Sequence, residues 1–136
     1  MSESIRVLLV ESQAIVRIGL AEVLGNEPGI VIVGEAGDGA ESVLKAVALQ
    51  PDVILTEVYL PGLGGLEAIL RIKEKLPLIR VLVLTFSERE EDSLEALKLG
   101  VDGYLLKSAS LAEICDALKK VAAGQPVLSA CYPPPA

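Results

Sequence analysis

Glu57 closes a short apolar run, Val53-Ile-Leu-Thr-Glu57, and is followed at once by Leu60-Pro-Gly-Leu-Gly-Gly65. A carboxylate is therefore handed from a buried stretch into a turn. The uninterrupted apolar residues 53–55 suit a strand covered on both faces, and Pro61-Gly62 is the central pair of a type II turn. Other polar side chains stand at the ends of comparable stretches: Glu11 and Ser12 after Ile5–Val10, Thr85 closing Arg80–Thr85, and Lys107 after Gly103–Leu106. Two carboxylates, two hydroxyls and one ammonium can hold a ligand or neutralise one another, and the elements that position them decide which. The chain has no histidine. That removes a histidine general base, histidine-activated nucleophiles and the commonest zinc ligand, so enzymatic activity is not expected. Gly37-Asp-Gly39 begins a Gly-rich pattern, but Ser42 stands where GxGxxG needs its third glycine, which leaves a turn before a helix.

Composition narrows the classes further. With 136 residues, 51% of them hydrophobic, the chain is expected to form one domain whose core needs neither metal nor disulfide. A net charge of -7, with one Phe, three Tyr and no Trp, opposes nucleic-acid binding by this domain, which would want clustered Lys and Arg and stacking aromatics. No signal-like start and no apolar run near the roughly 20 residues of a membrane span are found, so a cytoplasmic location is expected. Cys115 and Cys131 have no metal-ligand spacing and read as an apolar helix position and a tail thiol.

Strand-like and helix-like segments alternate. The spacing predicts strands at Ile5–Val10, 30–33, 53–55, Arg80–Thr85 and Gly103–Leu106. Between them it predicts a helix at Ala14–Gly25 with Ile15, Val16, Leu20, Val23 and Leu24 inward, and one at 40–50 with Val43, Leu44, Val47 and Ala48 inward. A third, Gly65–Lys75, uses Leu66, Ile69, Leu70 and Ile72, and a more polar one spans 90–99. The last, at 110–123, turns Leu111, Ile114, Leu118, Val121 and Ala122 inward behind a Ser110 N-cap. Parallel neighbours need crossover helices, so five such units predict an α/β, doubly wound, five-stranded parallel sheet of order 2-1-3-4-5 with helices on both faces. Its ligand edge lies beyond the carboxyl ends of the strands. Glu11, Ser12, Glu57, Thr85 and Lys107 all fall there.

These pieces together carry a resemblance. Pro51-Asp-Val-Ile-Leu, Leu60-Pro-Gly-Leu-Gly-Gly, Arg80-Val-Leu-Val-Leu-Thr and Gly100-Val-Asp-Gly-Tyr-Leu-Leu-Lys-Ser108 resemble the receiver domain of bacterial response regulators. Ser108 after the lysine is similar to the branch attached to LuxR/NarL-type helix-turn-helix DNA-binding domains. The resemblance implies the flavodoxin-like (CheY-like) fold and a two-component phosphorelay role. In it, a histidine kinase phosphorylates an aspartate at the end of the third strand, and Mg2+ is held by acidic residues after the first. A Thr or Ser and a Lys bind the phosphoryl oxygens, and an aromatic on the fifth strand reorients. Thr85, Lys107 and Tyr104 carry over; for Tyr104 simple packing is an equal alternative.

The acidic core departs from that pattern. Glu57 stands at the phosphoacceptor position, and Glu11-Ser12 replaces a pair of carboxylates. Mg2+ demands octahedral oxygen ligands at about 2.0–2.1 Å, so with Ser12 in place of a metal carboxylate, Glu11, Ser12 and Glu57 form a degenerate site and Mg2+ binding is expected to be weak or absent. Glu is one methylene longer than Asp, and in-line attack loses roughly a hundredfold for about 1 Å of misplacement. Glu57 is instead expected to hold Lys107 as a fixed charge in a phosphorylation-independent receiver that regulates an output domain. The alternatives are a receiver still phosphorylated by a histidine kinase, a stand-alone protein-interaction pseudo-receiver, and a small doubly wound enzyme or ligand binder.

Residues 1–123 are thus expected to be the receiver and 124–136, with Pro126 and Pro133-Pro134-Pro135, a linker leading to a C-terminal DNA-binding domain. A homodimer is a further expected partner, with helix 4, strand 5 and helix 5 as the surface the family uses.

Overall fold

The computed structural model describes residues 4–131. The Pro133-Pro134-Pro135 run lies outside the described residues. Five parallel strands, β1 (Ile5–Val10), β2 (Ile30–Ala36), β3 (Val53–Thr56), β4 (Arg80–Thr85) and β5 (Gly103–Leu106), form one sheet in the order β2-β1-β3-β4-β5. Helices α1 (Ala14–Gly25), α2 (Gly39–Leu49), α3 (Gly65–Lys75), α4 (Glu90–Lys98) and α5 (Leu111–Ala122) provide the crossovers. Alternate strand residues serve the two faces. Val7, Leu9, Val53, Leu55, Leu82 and Leu84 pack with Leu24 of α1 and Ile114, Leu118 and Val121 of α5. On the opposite face Leu8, Val10 and Ile54 meet Ala46 and Ile72, while Val81, Val83 and Tyr104 meet Ile69 and Ala96.

β2 outruns the expected 30–33. Its register against β1 shifts between Val7 and Leu8, so that Val7 pairs with Ile32 and Leu8 with Gly34. The bulge absorbs Val33, and β1 then supplies partners out to Ala36. Apolar patterning alone does not reveal such a continuation through Gly34-Glu35.

Two helix faces also differ from expectation. In α1 the covered stripe is Leu20, Ala21 and Leu24, whereas Ile15 and Val23 face outward. This helix is apolar around most of its circumference, so periodicity cannot choose the face the sheet covers. In α2 the inward side is Gly39, Ser42, Val43 and Ala46; Leu44, Val47 and Ala48 are exposed. The helix packs closely against β2 and α3, a fit that suits small side chains, and the buried Ser42 hydroxyl donates to the Gly39 carbonyl at 2.6 Å. Leu70 of α3 and Leu111 of α5 are likewise outside the core. Ser110 does cap α5, and its side chain and that of Glu113 exchange hydrogen bonds with each other's backbone N–H at 3.1 Å.

Beyond α5, Val127 forms a parallel bridge with Gly103 at the free edge of β5. The Val127 N–H donates to the Asp102 carbonyl at 3.0 Å and the Tyr104 N–H to the Val127 carbonyl at 2.8 Å. Leu128, Ala130 and Cys131 join the cluster around Tyr104. The Asp102 carbonyl and the Tyr104 N–H, which the sheet edge would leave open, are thereby paired. Cys115 and Cys131 are both free and buried. Among the described residues no helix is long and apolar enough to cross a membrane.

Candidate functional site

Glu57 follows β3 directly, and its N–H donates to the Val10 carbonyl at 3.1 Å, which fixes the carboxylate beside the end of β1. The turn beyond it is held in two ways. Gly62 adopts φ 68, as the third residue of a type II turn requires. Gly65 starts α3 so close to the strand end that a Cβ there would lie 2.3 Å from the Glu57 carbonyl oxygen, and its N–H donates to the Val58 carbonyl at 2.9 Å. Only glycine allows this approach, which tucks the start of the helix under the acid.

The Glu57 carboxylate is enclosed by donors. Its Oε2 accepts from the backbone N–H of Val58 at 2.5 Å and of Tyr59 at 3.3 Å. Its Oε1 accepts from the Phe86 N–H at 3.3 Å and pairs with Lys107 Nζ at 2.9 Å. Glu11 contributes from β1: Oε1 is ion-paired to the same Nζ, and Oε2 accepts from the Gln13 N–H at 2.8 Å, just before α1. Lys107 is brought here by β5, where its N–H donates to the Thr85 carbonyl at 2.9 Å. Two carboxylates thus share one ammonium. The remaining negative charge is met by four backbone N–H dipoles, the arrangement that buried ions need.

The other expected residues sit around this cluster in different ways. Thr85 is fully buried, and its Oγ1 accepts from the Ser87 N–H at 3.1 Å. Ser12 is half-buried. Among the described residues neither shares a hydrogen bond with the Lys107 ammonium or the Glu57 carboxylate. Tyr104 is buried against the sheet, and its hydroxyl has no hydrogen-bond partner among the described residues. Burial, and next the negative charge of Asp92, push its phenol up to about 12.

Four further residues take part without having been singled out from the sequence, namely Phe86, Tyr59, Ser87 and Asp92. Phe86 follows Thr85; its ring lies 4.3 Å from Lys107 Nζ, centroid to nitrogen, in a cation–π contact. Tyr59, two residues beyond Glu57, places its hydroxyl 2.6 Å from Asp92 Oδ2, and Ser87 Oγ donates to the same oxygen. The β3–α3 loop is thereby tied to α4. The only signal in the sequence was position: Phe86 directly follows Thr85 at the end of β4, and Tyr59 lies two residues beyond Glu57.

A five-stranded sheet of this order, with an acid after β3, an acid after β1 and a lysine after β5 converging at the switch of winding direction, defines a receiver module. The chain belongs to that family: residues 7–119 match the response regulator receiver domain. It is 38% identical over 132 residues to the nitrate/nitrite response regulator protein NarL of Escherichia coli (strain K12), covering 97% of this chain and 61% of that protein. It is 40% identical over 124 residues to the response regulator protein VraR of Staphylococcus aureus, covering 91% and 59%. The chain therefore spans about three-fifths of the length of these relatives. Among solved structures it is similar to a LuxR-family two-component response regulator from Aurantimonas sp. SI85-9A1, with a TM-score of 0.88 at 31% identity over 93% of this chain and 91% of that one. The receiver domain of a NarL-like regulator from Mycobacterium tuberculosis gives 0.86 at 29% identity, over 90% and 99%.

Proposed function

We propose that this chain is the receiver domain of a LuxR/NarL-type transcriptional regulator in which Glu57 holds Lys107 permanently, so that output does not depend on phosphorylation. One observation carries the reading: the Glu57 carboxylate, at the phosphoacceptor position, already takes the Lys107 ammonium and the Val58, Tyr59 and Phe86 N–H groups. An acceptor carboxylate must be free to attack phosphorus in line, with the surrounding donors available to the transferred group. Here those donors are taken by the carboxylate itself. One carboxylate brings a single charge where a phosphoryl group brings about two, and the Thr85 hydroxyl is turned to Ser87, so the likeness to a phosphorylated pocket is partial.

The residues after β1 do not fit a Mg2+ site. Glu11 gives one oxygen to Lys107 and the other to the Gln13 N–H, and Ser12 offers a neutral hydroxyl. In the whole regulator, which we place in the cytoplasm, we assign a DNA-binding domain as output partner. A histidine kinase and a second copy of the receiver are candidate partners through the family's usual surfaces.

Incubation with acetyl phosphate and Mg2+ followed by intact-mass measurement tests the reading. The expected result is an unchanged mass. A phosphoryl adduct mapped to Glu57 would overturn it.

A further inference from the structure

We propose that Phe86 is a second, independent barrier to phosphorylation: its ring seals the Lys107 ammonium and keeps a phosphodonor out even when the acids are restored. The proposal rests on the reading of Glu57 as a non-acceptor and adds a determinant that lies outside the acidic residues.

Phe86 is the only phenylalanine in the chain. It occupies an unfavourable place for one, 63% exposed at the end of β4. Its backbone and its ring serve the pocket from one position. The N–H donates to Glu57 Oε1, while the ring lies over Lys107 Nζ. The ammonium is thereby enclosed by Glu11, Glu57 and an aromatic face, and its side chain is almost wholly buried although the pocket lies at the rim of the sheet. The space lined by Val10, Glu11, Glu57, Leu84 and Lys107 is too small for a water molecule. Lys107 is thus held by two carboxylates and covered on a further side by the ring.

Phosphoryl transfer needs what this ring denies. The incoming phosphorus carries anionic oxygens that must reach the ammonium, and the leaving group must depart on the side away from the acceptor carboxylate. With acetyl phosphate, an acceptor oxygen would form a bond to phosphorus while the bond from phosphorus to the acetate oxygen breaks, acetate leaving with the electron pair. Shortening residue 57 and adding a carboxylate at residue 12 changes neither the ring nor its cation. The ring's attraction for the ammonium is strengthened by desolvation, so the barrier is electrostatic as well as steric. An alternative role for Phe86 is packing alone, since it also lines the groove between α1 and α5 with Val16, Leu20 and Leu111. Leucine at this position would satisfy that role without an aromatic face.

Two readouts test the proposal on folded protein, verified by circular dichroism. The first is the acetylation rate of Lys107 by acetic anhydride, mapped by peptide mass. Phe86→Ala is expected to raise it about tenfold and Phe86→Leu to raise it by an intermediate factor. An unchanged rate in Phe86→Ala, or protection by leucine equal to that of phenylalanine, overturns the aromatic seal. The second compares acetyl phosphate labelling, with Mg2+, of the Glu57→Asp/Ser12→Asp variant with and without Phe86→Ala. The triple variant is expected to label about tenfold faster or more. Equal rates, including two unlabelled proteins, overturn the barrier and leave the reading of Glu57 standing. Labelling of the native chain at Glu57, by contrast, defeats that reading while leaving the Lys107 comparison to judge Phe86.

Discussion

Lys107 meets Glu57 at 2.9 Å and Lys120 meets Asp116 at 2.9 Å, yet the two ion pairs lie in opposite surroundings. The side chains of the first pair are 6% and 4% exposed, those of the second 50% and 62%. Lys120 and Asp116 are one turn apart on α5, keep most of their hydration, and are screened by salt. Lys107 joins β5 to β1 and β3 and is shared by two carboxylates that have little water left to solvate them. Distance alone therefore says little about what an ion pair does. The exposed pair decorates a helix already held by its apolar face, whereas the buried cluster depends on its shared cation.

The largest effect is expected from Lys107→Met, which leaves Glu11 and Glu57 buried side by side without a cation. Urea unfolding at neutral pH should show a loss of about 3–5 kcal/mol. A loss like that of a surface pair would place the cluster in water after all. Glu57→Gln is expected to cost less, about 1–2 kcal/mol by the same measurement. Glu11 still neutralises Lys107 in that variant, and the amide keeps one acceptor for the backbone donors.

Tyr104→Phe comes next, with the opposite sign. Removing a buried hydroxyl that has no hydrogen-bond partner among the described residues is expected to stabilise the fold by about 1 kcal/mol. The same variant should change the alkaline limb of the stability curve. The phenol is raised from its ordinary value of about 10 to about 12, so the folded state holds the proton more tightly than the unfolded chain. That contribution is complete below the lower value and is lost as the pH climbs through the higher one. Denaturant titrations across this range should fall less steeply for the phenylalanine variant. The smallest effect belongs to Lys120→Ala, expected to stay within about 0.5 kcal/mol and to shrink further in salt.

The same contrast explains what could be read from the sequence. Strands buried on both faces are written as near-continuous apolar runs, so β1, β3, β4 and β5, and with them the positions of Glu11, Glu57, Thr85 and Lys107, were legible. α1 and α2 were less so. α1 carries more apolar residues than the sheet covers, and α2 turns Ser42 and Ala46 inward while Leu44 stays out. Phe86, Tyr59, Ser87 and Asp92 entered the site through a ring stacked on a cation, backbone N–H groups and hydrogen bonds that tie two loops to α4. None of these leaves a spacing in the chain. Lys107 was legible as a pocket residue, but its sharing between two carboxylates depends on the side-chain geometry at three strand ends.

Thermal unfolding of the native chain with Mg2+ and beryllium fluoride, each alone and together, asks most directly whether Glu57 already fills the place of a phosphoryl group. A ligand that binds the folded state at a hundred times its dissociation constant adds about 2.7 kcal/mol, which for a domain of this size raises Tm by several degrees. With the carboxylate on Lys107 and no acidic partner at Ser12, Tm is expected to remain unchanged in all mixtures. A rise of several degrees that needs both components, and disappears in Glu57→Gln, would show that the pocket opens to a phosphoryl-like ligand and would contradict a permanently occupied site.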